Sequence, residues 1–289
     1  INYSLYHDSS CDDGLIKINT DLLKLSDNFN VLYSKDFNDD SCKIFDPETS
    51  CYCKKILYYG QFMIYKKTNK GEQQYLDILN KILKDGILTE TRNGNTISLF
   101  GEKMVFNMND GFPLLTTKRM PWKTILRELL WFLSGSTDNK KLNEKNVHIW
   151  DGNATKEYMK QRGLNYKEGD LGPIYGFQWK YFGAEYRTCD DNYDGKGINQ
   201  IEYVINEIIN NPSSRRIIMS AWNPPDLDKM ALPPCHVMCQ FYVNQREKTL
   251  DCQLYQRSGD MFLGVPFNIA SYSFLLYIIS NVTDINLVN

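Results

Sequence analysis

The sequence predicts an α+β fold, mostly antiparallel sheet with helices. Amphipathic helical segments alternate with short strand segments, a polar turn joins two of those strands as a hairpin, and no internal repeat is present. With 289 residues, 42% of them hydrophobic and 13% aromatic, the chain can bury a core in one large domain or two small ones.

The first fifty residues are rich in Asp, Asn and Ser and weakly periodic, so loops dominate the expectation there. Strands are expected over 29–33 and 56–65, paired with each other. After the polar linker 66–71, residues 72–85 place Leu76, Leu79, Ile82 and Leu83 at helical spacing and stop at Gly86, a residue type favoured just past a helix end. A new domain is expected to start with this helix, giving an extension over 1–71 and a second domain over 72–289. Three further helices are expected over 122–133, closed by Gly135, over 198–210, closed by Pro212, and over 268–279. Between them the pattern gives strands over 216–221, 236–243 and 250–256, the last two joined through the polar turn 244–248.

Composition excludes several classes. A formal net charge of −2 argues against an extended nucleic-acid surface, while leaving small anionic ligands open to a local arginine cluster. No basic-then-apolar segment opens the chain and no apolar run approaches the roughly 18 residues of a membrane span, so a soluble protein of the cytoplasm is expected, with no membrane partner. Eight cysteines without secretory features read as free thiols. The closest pair, Cys51-Tyr-Cys53, lacks the spacing of a zinc or redox site, and no metal is expected. The glycosylation patterns at Asn2, Asn153 and Asn281 are idle without secretion. Because the chain opens on Ile1 and stops at Asn289 just after an apolar helical run, it is expected to be a piece of a longer protein.

The chemistry concentrates late in the chain. Pro233-Pro-Cys235-His236 sets a cysteine immediately before a strand, where a thiol can face a cleft. Arg215 and Arg216 follow a Pro-Ser-Ser turn, and Gln256-Arg257-Ser258-Gly259-Asp260 follows the hairpin. A guanidinium fork binds phosphate oxygens in pairs, and its charge favours a thiolate over a thiol, so an anionic substrate beside a nucleophilic cysteine is the economical reading. Glu128 stands on an apolar helix among Ile125, Leu129, Trp131 and Phe132, as either a satisfied structural carboxylate or a tuned acid/base. Trp150, Tyr175, Leu232, Leu263 and Phe267 read equally as core and as site. His236 invites a cysteine–histidine hydrolase reading, but neighbours on a strand point to opposite faces, which makes it secondary.

Met230-Ala-Leu-Pro-Pro-Cys-His236, Leu254-Tyr-Gln-Arg-Ser-Gly-Asp260 and Val265-Pro-Phe-Asn-Ile-Ala-Ser-Tyr272 resemble consecutive thymidylate synthase signatures. Phe112-Pro-Leu-Leu-Thr-Thr-Lys118, Glu128-Leu-Leu-Trp-Phe132, Asp170-Leu-Gly-Pro-Ile-Tyr-Gly-Phe-Gln-Trp179 and Ser214-Arg-Arg-Ile217 match that family in the same order, so the resemblance runs from about residue 72 to 289. It implies a fold that dimerises through its sheet and an enzyme that makes dTMP and dihydrofolate from dUMP and methylene-tetrahydrofolate. In that chemistry the thiolate, here Cys235, adds to carbon 6 of uracil so that carbon 5 becomes the nucleophile. The resemblance further implies that Arg257, Ser258 and the partner subunit's copies of Arg215 and Arg216 hold the phosphate of dUMP, and that Asn268 reads the pyrimidine. It places His236 and Arg92 among the substrate contacts. Asp260 would offer its backbone N–H to the base and its carboxylate to the pterin, Glu128 would relay protons, and Tyr175 would assist proton removal. Trp150, Leu232, Leu263, Gly264 and Phe267 would wall the folate.

Two departures from the family stand out. Thr91-Arg92-Asn93-Gly94 places its arginine one residue later than the family's phosphate loop does, and the family's His-x-Tyr pair and closing C-terminal segment are absent from residues 1–289. Residues 60–68 are similar to the last strand of dihydrofolate reductase in proteins that carry both enzymes on one chain, and NADPH enters only if such a reductase is attached. A pyrimidine hydroxymethylase and an inactive dimerisation or RNA-binding scaffold are the alternatives.

Overall fold

The computed structural model describes residues 70–91 and 94–285, and the backbone of four strands nearer the N-terminus, β1 (Tyr6–His7), β2 (Ile16–Lys17), β3 (Phe29–Tyr33) and β4 (Phe62–Lys66). Two compact units, 1–104 and 105–289, divide the chain. In the first, β3 and β4 pair antiparallel as expected, with Phe29 opposite Lys66 and Tyr33 opposite Phe62. The expected strand over 56–65 is described only from residue 62 onward, and Cys51 and Cys53 lie outside the described residues.

Helix α1 (Lys70–Asp85) carries Glu72 in its first turn and Lys84 in its last, complementing the helix dipole, and buries Tyr75 and Ile78. It ends where expected because a Cβ at Gly86 would stand 2.3 Å from the carbonyl oxygen of Ile82. The hairpin β5 (Ile87–Thr91) and β6 (Gly94–Ser98) that follows is not anticipated from the pattern. Its residues are exposed along both strands, so hydrophobic alternation gives no signal, although Gly94 takes the positive φ of 99° that a tight turn requires.

The second unit is built on an antiparallel sheet in the order β7 (Ile218–Ser220), β8 (His236–Asn244), β9 (Thr249–Gln256). Around it run α2 (Trp122–Leu133), α3 (Lys140–Asn143), α4 (Lys156–Gln161), α5 (Tyr175–Tyr181), α6 (Gln200–Asn210) and α7 (Gly264–Thr283). Helix α2 matches its expected range because Ile125, Leu129 and Phe132 recur on one face and bury completely or nearly so. Phe132 is the hub of the core: its ring lies 5.0 Å from Tyr175, 5.6 Å from Trp179 and 6.4 Å from Trp150. Helix α6 starts two residues later than the pattern suggests. Asn199 caps it by accepting from the Glu202 N–H, and Ile198 instead pairs with Phe182 in an isolated bridge.

Helix α7 starts earlier than expected, at Gly264, because the N–H groups of Gly264 and Val265 donate to the Asp260 carbonyl and begin the first turn. At 20 residues it is long and apolar enough to cross a membrane by length and composition, which corrects the expectation that no segment approached that length. Asn268, Ser271 and Ser273 interrupt the apolar run in sequence without breaking the helix. Ala270, Leu275 and Ile279 of α7 bury in the core, with the helix packed on α2, α6 and β9.

One buried carboxylate braces this unit next to the site. Asp170 is fully buried and accepts from the Tyr186 hydroxyl at 2.5 Å, the Gly172 N–H at 2.9 Å and the Cys189 N–H at 3.0 Å. The following residue, Leu171, accepts from the Ala231 N–H at 3.0 Å, linking the entrance of α5 to the segment that leads into Cys235. Tyr186→Phe removes one donor from a buried anion and should destabilise the fold by about 2 kcal/mol, read as a lower urea midpoint at unchanged slope.

Candidate active site

Cys235 sits at the entrance to β8, half-buried, and three independent contacts fix it. Its N–H donates to the Tyr175 hydroxyl at 2.7 Å, and its carbonyl accepts from the Arg257 N–H at 2.9 Å. The Arg257 guanidinium donates through Nε to the Pro234 carbonyl at 2.8 Å and through Nη2 to the Pro233 carbonyl at 2.9 Å, which brings Nη2 to 3.8 Å from the Cys235 Sγ. The Pro-Pro pair thus presents two carbonyls, free of competing N–H groups of their own, that orient the arginine over the sulfur. Trp222 adds an aromatic face 5.7 Å from the guanidinium carbon. None of these contacts uses Nη1, which stays available to an anionic ligand.

Behind the cysteine lies an aromatic wall. The His236 ring stacks on Tyr175 at 4.1 Å, and its Nδ1 lies 3.0 Å from the Tyr272 hydroxyl. His236 is turned into the core, and burial pulls its pKa down to about 3, so it stays neutral. Burial also pushes the Tyr175 phenol well above its ordinary range, with the neighbouring Cys235 adding to the effect. Tyr175 therefore remains a phenol that accepts from the Cys235 N–H and keeps its own proton to donate.

Glu128 and Trp150 form the next layer. The Trp150 indole N–H donates to Glu128 Oε1 at 2.7 Å, and the Trp150 ring meets Tyr175 edge-on at 6.0 Å. Although the residue keeps some exposed surface, its carboxyl is enclosed, and desolvation raises the pKa to about 7 against the single lowering bond from Trp150. A carboxyl poised near neutrality can take up and release protons at working pH.

The remaining candidate residues lie on and beside the loop between β9 and α7. Asp260 accepts through Oδ1 from the N–H groups of Phe262 at 2.8 Å and Leu263 at 2.7 Å, which fixes the turn. The Lys118 ammonium donates to the Phe262 carbonyl and lies over its ring. Leu263 is 64% exposed, Ser258 is exposed, and Gly264, Phe267 and Leu232 are half-buried. Asn268, on the first turns of α7, accepts from Gln256 Nε2 at 2.9 Å.

Some expected site residues are not brought together. Arg215 and Arg216 are exposed, and continuing the β7–β8 register sets Arg216 opposite Tyr242, roughly 20 Å along the strand from Cys235. No arginine side chain spans that distance, so these two cannot join the Cys235 site of their own chain. Arg92 lies outside the described residues. Trp222 and Gln256 are contacts the sequence reasoning missed; Gln256 stood inside a quoted motif, but nothing in its spacing showed that it meets Asn268. Among the described residues one group, Asp138, Cys189 and Asp190, brings potential metal-ligand atoms within 4.8 Å of one another. Asp190 is already paired with Lys167, and burial beside Asp170 pushes the Cys189 thiol up to about 12, so this set favours a neutral thiol.

The chain matches the family model for thymidylate synthase over residues 73–289. It is 56% identical over 244 residues, 84% of its length, to the bifunctional dihydrofolate reductase-thymidylate synthase of Zea mays, covering 45% of that protein. It is 55% identical over 217 residues to the thymidylate synthase of Bos taurus and 54% identical over 217 residues to that of Homo sapiens, each covering 74% of this chain, and 61% and 69% of those proteins. The chain spans about half the length of the bifunctional relatives it matches. With a family match across most of its length and relatives above half identity, this chain belongs to the thymidylate synthase family.

Proposed function

We propose that the protein carrying this chain converts dUMP to dTMP, with methylene-tetrahydrofolate supplying the one-carbon unit and the hydride and leaving as dihydrofolate. The observation that carries this reading is the pinning of Cys235 between the Tyr175 hydroxyl and the Arg257 guanidinium, a thiol beside an anion-binding group with a neutral phenol at its backbone. Addition of the sulfur to carbon 6 of the uracil makes carbon 5 nucleophilic, and the proton later lost from carbon 5 needs a nearby acceptor. Water is the acceptor in this reading, oriented by the neutral Tyr175 phenol beside Cys235, and Glu128, near its titration point at neutral pH, connects to the same wall through Trp150 and can take the proton onward. For the folate, the exposed Leu263 and half-buried Phe267 and Leu232 offer apolar surface, and because Asp260 uses Oδ1 in the turn, its other oxygen would be left for a polar edge of the pterin.

The protein is proposed to act as a homodimer joined through the sheet. On its outer face Ile218, Tyr242 and Tyr255 are 36%, 60% and 52% exposed, a large apolar area for one subunit to leave in water. A two-fold partner packed there would deliver its own Arg215 and Arg216 to this chain's phosphate site, which the distance along β8 denies to the arginines of the same chain. Residues 1–71 are proposed to be an extension ending a dihydrofolate reductase domain. The maize alignment supports this because it is longer than the family match and so reaches residues before 73. NADPH belongs only to such a reductase. A reducing, cytoplasmic setting is proposed, in which the Cys235 thiol would stay available as a nucleophile.

Incubating the full-length protein with dUMP and methylene-tetrahydrofolate should yield dTMP and dihydrofolate in equal amounts. A hydroxymethylated nucleotide, or no turnover by folded protein, would reject the assignment. Asn268→Asp should move the ratio of kcat/KM from dUMP towards dCMP by about tenfold or more, because a protonated carboxyl can donate to the ring nitrogen of cytosine while accepting from its amino group. Rate constants on both nucleotides check it, and an unchanged ratio would remove Asn268 as the reader of the base.

A further inference from the structure

We infer that Asp151 is a positioning residue for Glu128: by gathering Asn139, Asn143 and His148 it fixes the turn that carries Trp150, and so the indole hydrogen bond on the Glu128 carboxyl. The inference rests on the proposed role of Glu128 as a proton relay and deepens it. None of the proposed reaction steps uses Asp151, yet three donors converge on its side chain. Oδ1 accepts from Asn139 Nδ2 and from Asn143 Nδ2, each at 2.7 Å, and Oδ2 lies 2.9 Å from His148 Nδ1. These contacts, those from Asn143 and Asn139 foremost, lower the Asp151 pKa, so the group is a carboxylate. An anion only accepts, which settles both amide orientations: each asparagine aims its nitrogen at residue 151. For the buried Asn139 that orientation leaves Oδ1 without a hydrogen-bond partner among the described residues.

The loop so gathered is tied to α2 on both sides of Glu128. Arg127 Nη1 donates to the Lys145 carbonyl at 2.7 Å, and the Trp131 indole donates to the Asp138 carbonyl at 3.1 Å. Within it the Asp151 carboxylate joins the beginning, at Asn139 and Asn143, to the end. There the Trp150 carbonyl accepts from the Asn153 N–H at 3.0 Å, and the indole N–H reaches Glu128 Oε1 at 2.7 Å. An indole has a single N–H, so this bond is made in one ring placement. It is also the contact that draws the Glu128 pKa down against burial. The titratable groups facing Glu128 are Tyr175 of α5 and Tyr272 of α7, both kept as phenols by burial, beside the neutral His236 of β8. His148 is the titratable group that faces Asp151. Loosening Trp150 therefore lets Glu128 titrate higher, whereas deleting the negative charge of residue 151 by itself would let it titrate lower.

Urea stability of the full-length protein is measured against pH for each variant and for the same variant carrying Glu128→Gln. The pH at which their difference stops growing marks the folded-state pKa of Glu128, with no substrate needed. Asp151→Leu is similar in size but accepts nothing, and is expected to move that point upward by about half a pH unit or more. Asp151→Asn keeps Oδ1 for both asparagines and meets His148 in its other tautomer, so it is expected to stay within about a quarter unit of wild type. A charge effect would move both variants downward together, and a plain structural brace would lower the urea midpoint without moving the titration. Either result overturns the inference. In a Trp150→Phe background Asp151→Leu should add no further shift, and an undiminished shift there overturns the route through the indole. If Asp151→Leu does not fold, Asn143→Ala carries the test: an upward shift is expected, and an unmoved titration overturns the role of Asp151. Folded wild-type protein that makes no dTMP would sink the proposed function, while the titration still decides whether Asp151 positions Glu128.

Discussion

Replacing Cys235 with serine is expected to lower dTMP formation by about a thousandfold or more while changing dUMP affinity by less than about threefold. The two effects separate because they rest on different atoms. An alcohol is far less ionised than a thiol near neutral pH, so the step that attacks carbon 6 loses its nucleophile. Phosphate binding is proposed to depend on Arg257, and that guanidinium is held by the carbonyls of Pro233 and Pro234, which the substitution leaves in place. The backbone bond from residue 235 to the Tyr175 hydroxyl also survives. Calorimetry with dUMP and a spectroscopic assay of dihydrofolate read the two halves independently. Near-normal turnover in the serine variant would take Cys235 out of the reaction.

Glu128→Gln is expected to act in opposite directions on activity and stability. Turnover should fall by about a hundredfold, because a carboxamide cannot take up and release a proton. Stability should rise, and the sign follows from proton linkage. The folded-state pKa of about 7 lies above the ordinary glutamate value of 4.5, so between those pH values the native state holds a proton that the unfolded chain has lost. Native stability therefore declines as pH rises through that window, and above it the protein carries a fixed penalty for an enclosed carboxylate. Glutamine removes the penalty and keeps an acceptor for the Trp150 indole. The variant should be more stable than wild type by about 2 kcal/mol above pH ~7, and equally stable below the ordinary glutamate value. Urea unfolding across this range measures it, and the wild-type limb of kcat near neutrality should vanish in the variant. A variant less stable than wild type at high pH would mean that Glu128 is a structural carboxylate.

Much of the second unit was legible because its signals are local. Ile125, Leu129 and Phe132 repeat at helical spacing and the turn after Val243 is polar, so α2 and the β8–β9 hairpin stood where the pattern put them. Boundaries moved where a specific hydrogen bond outweighed periodicity, as when the Asp260 carbonyl captured two N–H groups and pulled the start of α7 back to Gly264. The hairpin β5–β6 was illegible because both its strands are exposed and leave no alternation to read. At the site, Cys235, Arg257 and Glu128 stood out as candidates from residue type and the family motifs. What the sequence did not carry were contacts between distant residues: the stacking of His236 on Tyr175, the indole bond to Glu128, and the pairing of Gln256 with Asn268. The separation of Arg216 from Cys235 was equally invisible until the β7–β8 register was known.

The central claim is that the sulfur of Cys235 bonds covalently to the pyrimidine during turnover, and trapping that bond tests it most directly. Full-length protein would be incubated with dUMP and methylene-tetrahydrofolate, quenched by denaturation, digested, and analysed by mass spectrometry. The account predicts a nucleotide adduct on the peptide containing Cys235, absent from the serine variant. Turnover with that peptide unmodified throughout, or an adduct carried instead by Cys189, Cys239 or Cys252, would contradict it.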